Sequence, residues 1–323
     1  MHSFKRTLRA LIICVLVIAV LAALDFALYP CTFIRSDIHR VTTQTFDDVY
    51  LGTSHGKLNI DPEAAESVSG RSGHNLCVGG EYPVDAYYML KLMIETGHAP
   101  GRVIYEASPG YFVKEKEEGN NYLLFIHEFP LSKAKISYFA DVVAGCNFRT
   151  SLFPWYEYDF LYELKNMKDT VVKKWTRDYS AESFTTDTQE YHENGFVERY
   201  PVPSDDFSLN GVDRPDITYL NQDNVKYIVK LIELCRENGI EFAAVTTPVP
   251  DVTIREYAQD YAAFDSYFTS LFAAQNVPYY NFNGQYAQAA SHDPKDYTDL
   301  DGHMNGDAAR TFSKTLAALL DRS

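Results

Sequence analysis

The stretch DDVYLGTS, Asp47 to Ser54, decides the fold of this chain. Its apolar centre between polar ends predicts a short buried strand over Asp47–Gly52. Gly52 permits a tight turn directly after the strand. The sequence therefore predicts that the Ser54 hydroxyl lies exposed at the carboxyl end of a strand.

A helix and a further strand follow this opening strand. The apolar segment Asn75–Val78 leads into Gly79 and Gly80. Pro83 then opens a predicted helix that closes at Gly97, since Pro is favoured in the first turn of a helix and Gly just beyond its end. The next predicted strand covers Arg102–Ser108. A strand, helix and strand in this order indicate parallel pairing with a crossover helix.

The same alternation returns in the C-terminal third of the chain. An amphipathic pattern predicts a helix that ends at Gly239. The predicted elements after it are a strand at Phe242–Pro248, a helix at Ala258–Ala274, a strand at Val277–Phe282 and a helix at Asp307–Leu320. The sequence thus predicts an α/β fold built on a doubly wound parallel sheet.

Residues 111–220 interrupt this alternation and are interpreted as a long insertion. The region is rich in Tyr, Phe and Trp, and its second half is polar with several Gly and Pro. Two interpretations remain open. The aromatic side chains could line a groove for a sugar polymer or pack on a membrane partner, or they could form a satellite core under loops.

The N-terminus, MHSFKRTLR, precedes an apolar run from Ala10 to Leu24 that extends to Tyr29. Such a run predicts a transmembrane signal anchor over residues 1–30, and the basic residues before it predict a cytoplasmic N-terminus. Residues 31–323 are then expected outside a single-pass cell membrane protein. The alternative is a cleaved signal peptide, because Ala19–Ala23 offers small residues at a possible cleavage site. In both interpretations, the residues after the apolar run lie outside the cytoplasm.

Composition narrows the possible functions. With 323 residues and 46% hydrophobic content the chain can bury a sizeable core, so disorder is excluded. The net charge of -15 disfavours nucleic acid as a partner. The five cysteines form no CxxC pair, so we expect no metal or redox cofactor. In an exported chain the four cysteines after the apolar run could form up to two disulfides, and the sequence does not assign their pairing. Cys235 is predicted to be a small buried thiol on a helix face.

A second polar loop, Asp299–Gly306, precedes the last predicted helix and contains His303. A histidine with carboxylates two and four residues before it, Asp301 and Asp299, suits a general base oriented by an acid. A serine hydroxyl needs such a base to act as a nucleophile. The alternative is an Asx-type turn in which Asn305 caps the helix and His303 is merely exposed.

Together these motifs resemble the SGNH (GDSL-like) hydrolase superfamily, and within it the membrane-anchored branch that includes DltD-like and alginate-acetylating proteins. The resemblance implies a flavodoxin-like sheet with Ser54 as nucleophile and His303 as base. It further implies that the backbone N–H groups of Ser54 and of Gly79 or Gly80 form the oxyanion hole. His55 is expected to line the pocket or to cap locally.

Three departures from that family pattern are visible. Gly-Thr-Ser replaces the usual Gly-Asp-Ser, and Glu106-Ala107-Ser108-Pro109 stands where a Gly-x-Asn-Asp block would supply an amide donor. The acid usually lies three residues before the histidine, a position that Leu300 occupies here. Of the two neighbouring carboxylates, Asp301 is preferred over Asp299 because it is nearer to His303.

The resemblance implies an O-acyltransferase, or an acyl-handling partner, that modifies a cell-surface glycan or teichoic acid through an acyl-serine. Its expected partners are a membrane-bound O-acyltransferase, the acceptor polymer and the membrane. Two alternatives stay open at this point. One is a membrane-bound carbohydrate or lipid esterase with the same residues, and the other is a non-catalytic glycan-binding scaffold on the same fold.

Overall fold

A computed structural model describes residues 2–29, 31–116, 125–145, 160–176, 180–210, 212 and 214–322. A five-stranded parallel sheet lies at its centre, and a two-stranded antiparallel hairpin lies beside it. The strands in the described residues are β1 (Asp48–Gly52), β2 (Gly73–Asn75), β3 (Arg102–Glu106), β4 (Gln189–Tyr191), β5 (Val197–Arg199), β6 (Glu241–Thr246) and β7 (Tyr279–Asn281).

The central sheet has the strand order β2-β1-β3-β6-β7, and all of its pairs are parallel. Counted within the sheet, this is the 2-1-3-4-5 order of flavodoxin-like folds. The predicted fold class is therefore confirmed. In this order the chain reverses its direction of winding between β1 and β3, and ligands of such sheets bind at that point.

Helices cover both faces of the sheet. The helices that the structure describes along the chain, including those away from the sheet, are α1 (His2–Leu28), α2 (Phe33–Val41), α3 (Ser54–Asn59), α4 (Pro62–Ser69), α5 (Pro83–Glu95), α6 (Pro109–Phe112), α7 (Lys133–Tyr138), α8 (Phe160–Thr176), α9 (Gln222–Glu237), α10 (Asp251–Glu256), α11 (Ala258–Ala274) and α12 (Gly306–Leu320). A π-helical turn, Phe139–Val143, continues α7.

The two central strands β1 and β3 are buried along their whole length, so their side chains divide between two cores. Val49 and Val103 point into the larger core, which α5, α9 and α11 complete. Tyr50 and Ile104 point to the opposite face, where α12 contributes Phe312 among others. This alternation along each strand is the period-two pattern of a sheet packed on both sides.

The structure shifts one predicted boundary. β2 covers Gly73–Asn75, whereas the apolar segment noted in the sequence, Asn75–Val78, begins only at the last residue of this strand. Beyond the strand the chain still follows β1, since the N–H groups of Leu76 and Val78 donate to the carbonyls of Tyr50 and Gly52. The apolar block is thus the continuation of the strand toward the end of β1.

The predicted insertion, 111–220, lies partly outside the described residues, which omit 117–124, 146–159, 177–179, 211 and 213. Within the described part, the β4–β5 hairpin packs against the main sheet. The Tyr191 hydroxyl donates to Asp37, and the Asn75 N–H donates to the Asn194 carbonyl at 2.8 Å. Tyr191 and Val197 pack with Leu58 in a small separate core.

The N-terminal helix α1 extends beyond the apolar run seen in the sequence. Its Phe4–Leu28 segment contains an 18-residue window with a mean hydropathy of 3.0 and is long and apolar enough to cross a membrane. Only its last turns touch the remainder of the protein, where Leu28 and Tyr29 are buried. In α9, the Cys235 thiol is free and fully buried, as predicted.

Candidate active site

Ser54 occupies the first position of α3, directly after the turn that ends β1. Gly52 makes this turn with a φ of +142°, and a Cβ at this position would lie 2.6 Å from the Cβ of Glu106. The Thr53 N–H and hydroxyl both donate to Glu106 Oε2, at 3.1 and 2.7 Å. The Thr53 Oγ1 in turn accepts from the His55 N–H and so caps α3. Ser54 is therefore held on a rigid turn at the end of the strand.

The loop before α12 is folded around one carboxylate. Asp299 Oδ1 accepts the backbone N–H groups of Asp301, Gly302 and His303 at 3.0 to 3.2 Å. From α3, the Asn59 side chain donates to the Gly302 carbonyl at 2.8 Å and accepts from the Met304 N–H at 2.8 Å. The helix that carries Ser54 thus also positions the histidine loop. The role of Asn59 was not predicted from the sequence, because no local motif marks this residue.

Ser54, His303 and Asp299 form a continuous hydrogen-bonded chain. His303 Nε2 lies 2.9 Å from Ser54 Oγ, and His303 Nδ1 lies 2.6 Å from Asp299 Oδ2. Burial alone would raise the pKa of Asp299, but the hydrogen bonds from His303 and Gly302 and the charge of His303 lower it to about 2. Asp299 is therefore a carboxylate at neutral pH. It fixes the imidazole with Nε2 directed at the serine hydroxyl.

Asp301, the carboxylate preferred from the sequence, forms no hydrogen bond with the His303 ring within the described residues. It lies instead against His55, whose Nε2 is 2.9 Å from the Asp301 carbonyl oxygen and 3.7 Å from its Oδ2. The choice of Asp301 over Asp299 is corrected by this geometry. The physical reason is the curl of the loop, because one carboxylate oxygen of Asp299 satisfies three N–H groups and this leaves its second oxygen facing the imidazole.

His55 is buried next to the serine. Its ring stacks on that of His303 with centroids 5.0 Å apart, and its Nδ1 lies 3.0 Å from Ser108 Oγ. Burial lowers the pKa of His55, but the charges of Asp301 and Glu106 raise it above its ordinary value overall. His55 also lines a narrow cavity of about 20 Å³ together with Glu106 and Ser108. Its expected position beside the pocket agrees with this geometry.

Gly79 and Gly80 lie on the other side of the serine. A Cβ on Gly79 would be 3.7 Å from the Ser54 Cβ, so this backbone passes close to the nucleophile turn. Gly80 adopts a φ of +83°. Among the described residues, no acceptor binds the N–H of Ser54 or of Gly79. Both N–H groups are therefore free to bind a ligand oxygen.

Glu106 occupies the place of the missing Gly-x-Asn-Asp block, at the carboxyl end of β3. Its side chain is 1% exposed, and its Oε1 has no hydrogen-bond partner in the described structure. Burial raises the pKa of Glu106, while the His55 charge and the Thr53 hydrogen bonds partly offset that effect. Glu106 therefore stabilises the nucleophile turn through its hydrogen bonds with Thr53. It does not supply the amide donor of the Gly-x-Asn-Asp block.

Two groups of side chains in the described residues have metal-ligand spacing. In the first, atoms of His55, Asp301 and His303 lie within 4.8 Å of one another. The ring nitrogens of both histidines already have hydrogen-bond partners, which favours proton transfer over metal binding. The second group consists of Glu190, His192 and Glu198. There the guanidinium of Arg310 already binds Glu198.

No model of a known protein family matches this chain, and no curated protein matches it either. Among solved structures, it is similar to a "putative acylhydrolase" from Bacteroides fragilis. The two chains share 12% sequence identity with a TM-score of 0.37, and the similarity covers 85% of this chain and 86% of the other. A likeness at this level carries no argument about fold or function.

Proposed function

We propose that this protein is a membrane-anchored serine O-acyltransferase of the SGNH type. The observation that supports this proposal is the hydrogen-bonded chain from Asp299 through His303 to Ser54 Oγ. A hydroxyl on a strand-to-helix turn, an imidazole within 2.9 Å and a carboxylate behind it constitute the arrangement that activates serine for acyl transfer.

In the proposed reaction, His303 Nε2 takes the proton from Ser54 as Oγ attacks the carbonyl carbon of the acyl donor. The oxyanion is bound by the N–H groups of Ser54 and Gly79. His303 then gives the proton to the leaving oxygen, which departs as an alcohol and leaves an acyl-serine. An acceptor hydroxyl attacks this ester, His303 accepts its proton, and the proton returns to Ser54 when the product leaves.

The proposed acceptor is a hydroxyl of a cell-surface glycan or teichoic acid, and the proposed donor route is a membrane-bound O-acyltransferase. The apolar helix α1 supports this choice, because an anchor keeps the serine near a donor that arrives through the membrane. Water as the final acceptor would make the same site an esterase. The two reactions share the acyl-serine and differ only in the group that resolves it.

Two measurements test the proposal. The full chain, purified in nanodiscs, should be labelled at Ser54 by a fluorophosphonate, and Ser54→Ala should abolish the labelling. In cells, Ser54→Ala should reduce the O-acyl content of the envelope to that of a deletion strain, as expected when the nucleophile of a triad is removed. Ser270→Ala, which removes an exposed hydroxyl on α11, is the matched control and should change neither readout.

The outcomes separate the candidate functions. Labelling of Ser54 with an unchanged envelope, together with release of free acid from aryl acetates, would replace the transferase by an esterase. Absence of labelling with an unchanged envelope would reject acyl chemistry at this serine and leave a glycan-binding scaffold.

A further inference from the structure

Helix α8 exposes apolar side chains and buries polar ones, which is the reverse of a water-soluble surface helix. Its exposed apolar side chains, with 38 to 81% of their surface accessible, form the α8 stripe and are those of Leu164, Met167, Val172 and Trp175. Trp175 is 81% exposed, whereas Thr170 and Lys174 are the buried ones among the α8 side chains that the structure describes. A helix of a water-soluble protein turns its apolar side inward. The outward stripe of α8 therefore calls for an apolar environment outside the protein.

The stripe lies beside the end of α1. The two helices pack on each other, and Lys174 Nζ donates to the Phe26 carbonyl at 2.8 Å. The same ammonium group lies 5.4 Å from the centroids of the Phe26 and Tyr29 rings. A lysine that binds the last carbonyls of α1 caps that helix where it leaves the apolar segment. Helix α8 is thus attached to the membrane-proximal end of α1.

Charge on α8 also differs from the charge of the whole chain. The helix contains Lys165, Lys168, Lys173 and Lys174 but only two acids, Glu163 and Asp169, in a chain with a net charge of -15. Lys173 and Lys174 already donate to protein carbonyls, whereas Lys165 and Lys168 are exposed. Exposed lysines beside an apolar stripe can keep their stems on the apolar surface and their ammonium groups among lipid phosphates. The pattern fits an interface that is apolar on one side and anionic on the other.

We propose that α8 lies in the headgroup region of the leaflet at which α1 leaves the bilayer, with the α8 stripe in contact with acyl chains. The partner of this surface is the lipid itself. The protein would then have a second membrane contact besides its anchor, and the α/β domain would be restrained in its orientation. This proposal rests on α1 spanning a membrane and is independent of the acyl chemistry.

Two observations favour lipid over a protein partner. The stripe adjoins α1, whose apolar segment is itself exposed along nearly its whole length and needs lipid around it. Trp175 at the edge of the stripe, near the lysines, is the side chain that bilayer interfaces favour. A protein-binding groove would instead present a concave apolar surface, which the convex side of a single helix does not form.

Tryptophan fluorescence of the full chain in nanodiscs tests this placement. The chain has two tryptophans, so the difference between the emission spectra of wild type and Trp175→Phe reports Trp175 alone. We expect a blue-shifted difference spectrum that brominated acyl chains quench by roughly half or more, because an interfacial Trp lies within reach of the bromine atoms. The nanodiscs contain phosphatidylcholine and phosphatidylglycerol with no other protein.

Tyr219→Trp supplies the matched control, since Tyr219 is 71% exposed and lies outside α8. The tryptophan that it introduces should emit like a water-exposed indole and resist quenching. A Trp175 signal as red-shifted and unquenched as this control would overturn the proposal. Protection of Trp175 that arises only after a membrane O-acyltransferase is added would overturn it in favour of a protein partner.

Discussion

At the scale of single residues, Asp299 combines two tasks in one carboxylate. One oxygen accepts three backbone N–H groups of its own loop, and the other binds His303 Nδ1. The loop and the imidazole are therefore oriented by the same side chain. Asp301 is only two residues away, yet its contacts are with His55.

The first prediction compares these two carboxylates. Asp299→Asn should lower the rate of Ser54 acylation by roughly 10³- to 10⁴-fold, because the amide no longer selects the imidazole tautomer whose Nε2 accepts the serine proton. Asp301→Asn keeps the backbone carbonyl that binds His55 and should lower the rate by less than about tenfold. The rate of fluorophosphonate labelling measures both. Similar losses in the two variants would contradict the assignment of Asp299.

A second prediction concerns pH and the stability of this loop. The pKa of Asp299 is lowered from 3.8 to about 2, so its contribution to the free energy of unfolding is present above pH 4 and lost as the pH falls toward 2. Its side chain is 42% exposed, and water screens part of the interaction, so we expect only about 1 kcal/mol. Urea unfolding at pH 6 should show Asp299→Asn to be less stable than wild type.

The difference in unfolding free energy between wild type and Asp299→Asn should shrink at pH 3 and approach zero below pH 2, where Asp299 is protonated and both side chains are uncharged. Asp293→Asn is the control, because the carboxylate of Asp293 also has a lowered pKa but lies on the surface beside Lys295. A gap between wild type and Asp299→Asn that stays constant with pH would show that the loss arises from the loop's hydrogen bonds and not from the charge.

At the scale of elements, the turn between β1 and α3 brings the serine into position. Its geometry depends on close packing of two strand ends, since Gly52 pairs with Glu106 in the parallel ladder between β1 and β3. Glu106 then binds Thr53 from the same strand end. The nucleophile turn is thus attached to the neighbouring strand both by backbone contact and by a buried side chain.

The third prediction follows from that close contact. Gly52→Ala should lower the free energy of unfolding by about 2 to 4 kcal/mol and abolish labelling of Ser54, since the new methyl group meets the backbone of Glu106 and strains a left-handed φ. Gly97→Ala is the matched control. Gly97 also has a positive φ, of +80°, but nothing lies within 4 Å of the position of its Cβ.

The control, Gly97→Ala, should lose only about 1 kcal/mol of unfolding free energy, because its positive φ disfavours a residue with a Cβ. Its Ser54 should be labelled normally by the fluorophosphonate. Denaturant unfolding measures both losses. Equal losses in the two variants would mean that the β1 turn adjusts to the methyl group, and the rigidity ascribed to it would be wrong.

At the scale of the whole molecule, the anchor helix and the site lie in different parts of one chain. α1 contacts the remainder only through its last turns, whereas Ser54 and His303 lie at the carboxyl ends of the central sheet. The three side chains of the candidate site are therefore brought together without α1. In the proposed function, α1 determines where the chemistry takes place, and its orientation in the membrane decides which compartment supplies the acceptor.

The fourth prediction concerns this orientation. Lys5, Arg6 and Arg9 precede the apolar segment, so the positive-inside rule predicts that residues 31–323 lie outside the cytoplasm. Alkaline phosphatase fused to the C-terminus should be active, and green fluorescent protein at the same position should stay dark. The opposite pair of results would place the site in the cytoplasm. N-terminal sequencing that starts after Ala23 would show a cleaved signal peptide.

The sequence by itself determined the fold class, because alternating strand and helix patterns with Gly and Pro at their ends specify a doubly wound sheet through local physics. It also predicted a pairing of Ser54 with His303, since each has a local signal, a Gly turn after a strand and a polar loop before a helix. These two residues are separated by 249 positions, and the structure brings them within 2.9 Å. Their proximity follows from sheet topology, which gathers the carboxyl ends of parallel strands at one edge.

Only the tertiary structure decided which carboxylate orients the histidine. Asp299 and Asp301 are equally compatible with the sequence, and the choice depends on how the loop curls and on Asn59, which holds it from another element. The support of the nucleophile turn by Glu106 and the outward stripe of α8 are likewise properties of packing. Local propensity specifies which segments become helix or strand, whereas the direction in which a side chain points depends on what the fold places opposite it.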